Sequence, residues 1–160
     1  MGEVLKNIKK AQIIHFDLGI GDPITPGPQY KITPSLCPGN EYISWAVYPV
    51  ETMCAEKLHA LISHGDDNSR SKDIYDLAVL LPKVDPKTLR RAIKNCFEFR
   101  NREIPETFFQ EIKQLNTSRL ERGWKSATAS IPNPMTFSEA LNWVLMIMAD
   151  IESNWDKSDI

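Results

Sequence analysis

The feature that most constrains the fold is the tract at residues 50 to 77, VETMCAEKLHALISHGDDNSRSKDIYDL. It reads as two amphipathic helices separated by a polar joint. At 3.6 residues per turn, Val50, Met53, Cys54, Leu58, Leu61 and Ile62 share one face of the first helix. Lys57 falls near the middle of that face, seven residues after Val50 and four before Leu61. One reading packs its stem and lets the ammonium reach water. The other places the ammonium in a site, where it meets a phosphate or a carboxylate.

Gly65 is expected to stop the first helix. Asp66, Asp67, Asn68 and Ser69 make the joint, and one of them, or Ser71, is expected to cap the second helix. Ile74, Leu77, Ala78 and Leu81 form that helix's apolar stripe, with Asp73 beside it and Asp76 one turn on. Arg70 and Lys72 sit next to these acids, and Lys72–Asp76 has the i,i+4 spacing of a helical ion pair. First-turn acids also suit the helix dipole, so the cluster has a structural as well as a functional reading.

The remaining chain fits an α+β protein, with a short antiparallel β segment at residues 1–48 and a predominantly helical bundle at 49–160. Strands are expected at residues 12–22, 30–36 and 42–48, broken by Pro23, Pro26, Gly27 and Pro28 and by the Pro38-Gly39-Asn40 turn. Asp85 and Pro86 are an N-cap and first-turn pair for a helix reaching about Phe99. Its inner face carries Leu89, Ile93, Cys96 and Phe97. Its outer face carries Lys87, Arg90, Arg91 and Lys94, either a solvated stripe or a phosphate contact. Arg100 returns to the apolar side, in reach of an acid such as Asp73. Phe108, Phe109, Ile112, Leu115, Leu120 and Trp124 are expected core in one or two further helices. Thr136 and Glu139 have capping-box spacing ahead of a last helix that packs through Phe137, Ala140, Leu141, Val144, Leu145, Met148 and Ile151.

With 160 residues, 42% of them hydrophobic, the chain can bury one real core. A net charge of −2 gives no global pull toward nucleic acid or acidic membranes. Cys37, Cys54 and Cys96 lack CxxC spacing and suggest free thiols in a reducing cytoplasm. His15, His59 and His64 form no zinc-type cluster with them. The first ten residues lack the apolar run of a signal peptide, and residues 143–149 are too few to span a bilayer. There are no repeats.

Asp17 lies between Phe16 and Leu18 in a strand-like stretch. A strand acid can simply face solvent. Metal-dependent phosphoryl transfer also uses carboxylates on rigid strands, where they hold the ions that bridge a triphosphate.

HFDLGIGDPITP, YP-ET--AEKLHAL, NSRSKDIYDL and AI--CFEFR, in this order, resemble the AbiEii/AbiGii nucleotidyltransferase toxin family over about residues 11 to 102. The resemblance implies the end of a polymerase-β-like sheet followed by a helical domain. It implies transfer of a nucleotide from a nucleoside triphosphate to an acceptor such as tRNA, with Mg²⁺ or Mn²⁺. The implied setting is the bacterial cytoplasm, in a toxin–antitoxin or abortive-infection system with a cognate antitoxin. On the matching positions Asp17 would be a metal carboxylate, Lys57 would bind the triphosphate, and Asp73 would be the acid of the later motif. Arg70, Lys72 and Asp76 would support the nucleotide. The family's earlier Gly-Gly/Ser turn and Asp-x-Asp pair do not occur before Asp17, so the expectation is a C-terminal portion with weak or absent activity alone. Uncovered strand edges lead to an expected homodimer or swapped sheet. The alternative is a non-enzymatic helical module that binds nucleotide, RNA or a protein partner.

Overall fold

The computed structural model describes residues 20–36, 39, 41–64 and 70–155. Two antiparallel strands, β1 (Gln29–Pro34) and β2 (Tyr42–Val47), precede six α-helices among these residues. The helices are α1 (Val50–Ser63), α2 (Ser71–Leu80), α3 (Pro86–Phe99), α4 (Phe108–Gln114), α5 (Ser118–Ala127) and α6 (Phe137–Ser153), with a 3-10 turn at Leu81–Lys83. This is the α+β arrangement the sequence implies. The strand expected at residues 12–22 lies outside the described residues up to residue 19, and Ile20 to Asp22 are loop.

The hairpin register sets its two faces. Tyr30 faces Ala46, Ile32 faces Ser44 and Pro34 faces Tyr42, so these six share one side. Tyr30, Ile32 and Tyr42 are 76%, 72% and 66% exposed. On the other side Trp45 donates its indole N–H to Thr33 Oγ1 at 2.9 Å, while Ile43 and Val47 are half-buried.

Loop residues 20–28 are tied to the helices rather than to the hairpin. Thr52 Oγ1 accepts from Thr25 N at 2.9 Å and donates to Thr25 O at 2.8 Å. Asn95 Nδ2 donates to Thr25 Oγ1 at 2.8 Å, which adds α3 to the anchor.

The core lies among the helices. α1 packs chiefly on α3, and α2 packs on α5 and α6. Leu58, Leu61, Ile74, Leu77, Leu89, Phe97, Phe108, Ile112 and Val144 are fully buried. Phe97 meets Phe108 edge-on with ring centroids 5.7 Å apart, the geometry aromatic quadrupoles favour. The capping signals behave as their chemistry dictates. Asp85 accepts from Thr88 N at 2.8 Å, and Thr136 and Glu139 form the complete capping box. Phe109, Leu115, Leu141 and Leu145 are only half-buried, at the rim of the core. Among the described residues no helix is long and apolar enough to cross a membrane.

Three local expectations are corrected. The inward face of α1 centres on Leu58, with Glu51, Thr52, Cys54, Ala55 and Leu61 buried around it. Lys57, one residue and about 100° from Leu58, therefore flanks the face instead of bisecting it. The helix turns this way because Glu51 accepts from Asp85 N and Thr52 holds Thr25, so both polar groups are satisfied when buried. Second, Ser71 does not cap α2. Arg70 occupies the N-cap position with no side-chain capping bond, and Ser71 Oγ instead donates to Leu120 O on α5 at 2.8 Å. Residues 65–69, the other candidate caps and the expected Gly65 stop, lie outside the described residues. Third, Arg100 pairs with Asp22 and Glu56, not with Asp73.

Candidate functional site

The flanking position of Lys57 aims its stem along the α1–α2 contact. Asp73 and Asp76 sit three residues apart on α2, so both lie on one side of that helix. Lys57 Nζ is 2.8 Å from Asp73 Oδ1 and 2.8 Å from Asp76 Oδ2. Lys72 Nζ reaches Asp76 Oδ1 at 2.6 Å, the i,i+4 pair its spacing implies. Arg70 Nη1 stands 3.6 Å from Asp73 Oδ2, a buried oxygen that accepts no hydrogen bond.

The electrostatics follow from partial burial. The Lys57 side chain is 22% exposed, and those of Asp73 and Asp76 are 11% and 21% exposed. Burial disfavours the Lys57 ammonium, but the hydrogen bonds and charges of Asp73 and Asp76 outweigh it and raise its pKa. Burial likewise disfavours the Asp76 carboxylate, but Lys57 and Lys72 outweigh it and lower its pKa. Lys57 and Asp76 are thus both held in their ionised forms at neutral pH. Among the described residues, Arg70 and Lys72 add two bases beside Lys57 and the two acids.

Five of the six residues picked out from the sequence, Lys57, Arg70, Lys72, Asp73 and Asp76, are brought together here. Asp17 lies outside the described residues. Among the described residues no group of three or more His, Cys, Asp or Glu could hold a metal ion. The acids of this cluster hold a lysine instead, so the described residues do not fit a divalent-cation site.

Sequence reasoning missed a second constellation. Arg100 Nη2 lies 3.0 Å from Asp22 Oδ1 and 3.8 Å from Glu56 Oε1, and Tyr48 donates its hydroxyl to Glu56 Oε1 at 2.7 Å. Asp22, Tyr48 and Glu56 line a cavity of ≈ 410 Å³ together with Gly21 and Ile24. Burial, then the Glu56 carboxylate, raises the Tyr48 pKa and keeps the phenol protonated as a donor. The one sequence signal was Arg100 returning to the apolar side of α3. Its partner, 78 residues earlier, was beyond any local pattern. Glu56 and Lys57 are adjacent on α1 and so point about 100° apart, which separates this cavity from the lysine cluster.

Cys54 and Cys96 are free and buried. Burial pushes the Cys54 thiol up to about 12 and raises that of Cys96, so neither is a ready nucleophile.

No curated protein and no solved structure matches the chain. A family model described as nucleotidyl transferase AbiEii toxin, type IV toxin–antitoxin system, matches residues 5–145. The match takes in the β-hairpin, the Lys57 cluster and the helices as far as the first half of α6, and the chain belongs to this nucleotidyltransferase toxin family.

Proposed function

We propose that this chain forms the nucleotide-facing, largely helical part of a nucleotidyltransferase toxin. The complete form would transfer a nucleotide from a nucleoside triphosphate to an acceptor such as tRNA, releasing pyrophosphate, with Mg²⁺ or Mn²⁺ as cofactor. The supporting observation is Lys57 held 2.8 Å from both Asp73 and Asp76. An ammonium has three donors. Two are directed at carboxylates and fix its position, which leaves one for a phosphate oxygen. Arg70 and Lys72, each more than half exposed, flank it and add positive charge. Asp73 and Asp76 act as positioning residues for the lysine.

The chemistry of transfer needs carboxylates beyond this set. Asp17 is the candidate from the sequence, and the 160 residues contain no Asp-x-Asp pair. The chain alone is therefore expected to bind nucleotide and to transfer it weakly or not at all. The family setting supports a cognate antitoxin and a bacterial cytoplasmic site of action. The exposed Tyr30, Ile32 and Tyr42 side of the hairpin supports association of two copies.

A second reading is a non-enzymatic module that binds nucleotide, RNA or a protein partner. It is favoured by Lys87, Arg91 and Lys94, which are exposed on one side of α3.

The test is incubation with labelled nucleoside triphosphates, Mg²⁺ or Mn²⁺ and total tRNA, with binding and label transfer read separately. Nucleotide binding that weakens at least tenfold in Lys57→Ala, with melting checked in parallel, is the expected result. Transfer that disappears in Asp17→Ala would overturn the expected inactivity of the isolated chain. Absence of nucleotide binding would sink the first reading, and RNA binding without it would support the second.

A further inference from the structure

The outer side of α6 carries a stripe that the core does not use. Glu139, Trp143, Met146 and Asp150 are spaced by four, three and four residues, so they align along one side of the helix over about 16 Å. Trp143 and Met146 are 43% and 54% exposed, although large apolar side chains on this helix otherwise turn inward. With Met135 and Asn142 they line a shallow groove of ≈ 510 Å³ that begins at the helix N-terminus. The two apolar residues are bracketed by carboxylates, Glu139 at one end and Asp150 at the other.

This charge order selects the occupant. Antiparallel packing of two copies through the stripe would set Glu139 of one against Asp150 of the other. Parallel packing would set each acid against its own copy. Like charges oppose in both registers, which disfavours a second copy here. A helix with an apolar centre and Lys or Arg at both ends satisfies all four positions. Its apolar residues would cover Trp143 and Met146 while its bases pair with the two acids.

We propose that the Glu139–Trp143–Met146–Asp150 stripe is a docking surface for a basic amphipathic helix of a partner protein. Trp143 is the anchor, since an aromatic in a groove supplies the most contact area per ordered side chain. The acids set orientation and partner choice. The proposal is independent of the Lys57 reading, because α6 presents this side away from α2.

The probes are two synthetic helical peptides with the same Leu-rich centre, one flanked by Lys and Arg and the other by Glu. Binding is followed by fluorescence anisotropy at low and high salt. The basic peptide is expected to bind at least tenfold tighter than the acidic one, with the difference shrinking at high salt. Trp143→Ala and Met146→Ser should each weaken it about tenfold without lowering the melting temperature. Asp150→Lys should narrow or reverse the preference between peptides. Equal binding of both peptides, binding of neither, or binding indifferent to both apolar substitutions would overturn the proposal. So would self-association of the chain that Trp143→Ala abolishes, since the occupant would then be a second copy.

Discussion

Lys57 Nζ lies 2.8 Å from Asp73 Oδ1, sixteen residues further along the chain and on a different helix. The contact joins α1 to α2 at a point where Asp73 is only 8% exposed. Removing the lysine would leave the nearly buried Asp73 carboxylate with the exposed Arg70, 3.6 Å away, and no hydrogen bond from Lys57, which costs more than the pair itself contributes. Lys57→Ala is expected to destabilise the fold by about 2 kcal/mol. The double variant Lys57→Ala/Asp73→Asn should recover part of that loss, because no unpaired charge remains. Urea denaturation of the single and double variants measures both quantities.

The same cluster gives a pH window. The folded-state pKa of Asp76 is depressed, so its contribution is present above the unfolded carboxylate value of ~3.9 and is lost as pH falls through the folded value. Lys57 is raised, so its contribution is present below the unfolded value of ~10.4 and is lost as pH rises through the folded one. The stability difference between wild type and Asp76→Asn should stay flat across neutral pH and shrink in acid. Thermal melts from pH 2.5 to about pH 7 test this. A difference that grows in acid would contradict the sign of the shift.

What could be read from sequence divides along local and non-local lines. The α2 stripe of Ile74, Leu77, Ala78 and Leu81 was legible because helical periodicity is local, and all four are buried. The Asp85 and Thr136 caps were legible for the same reason. The orientation of α1 was not. Apolar counting centres the inward face on Val50 and Lys57, but Glu51 and Thr52 are buried through bonds to Asp85 and Thr25, residues 34 and 27 positions away. Composition cannot reveal that a polar side chain will find such a partner. The charged residues of the site were visible individually, and their convergence on one lysine became definite only when α1 and α2 were set side by side. Arg100 shows the limit again, since the sequence placed it on the correct side of α3 and offered the wrong acid.

Gly123 marks a close approach of α5 to the start of α2. A Cβ there would collide with Ser71 Oγ, the hydroxyl that donates to Leu120 O. Gly→Ala within a helix normally gains ~1 kcal/mol. Here the new methyl would push Ser71 off its bond, at a cost of roughly 1–3 kcal/mol for a buried acceptor left unmade. Gly123→Ala is expected to be destabilising by about 1 kcal/mol net. Added to Ser71→Ala, the same change should be neutral or stabilising, because the remaining approach to the Ser71 Cβ is an ordinary 3.5 Å. Chemical denaturation of the four-member cycle would show this as a positive coupling between the two sites.

Thr52 holds the loop that carries Asp22. Its hydroxyl both accepts from Thr25 N and donates to Thr25 O, and Thr25 is 8% exposed. Thr52→Val keeps the shape but leaves a buried N–H and carbonyl without partners, at an expected cost of about 2 kcal/mol. Thr52→Ser keeps the hydroxyl and should cost well under half as much. Only two residues separate Asp22 from Thr25, so loosening the loop should also weaken the Arg100–Asp22 pair, 3.0 Å in the intact chain. Amide hydrogen exchange should therefore quicken at Gly21, Asp22, Ile24 and Thr25 in Thr52→Val, with the α2 and α6 cores unaffected. Uniform acceleration through every helix would mean that Thr52 supports the whole fold and not this loop.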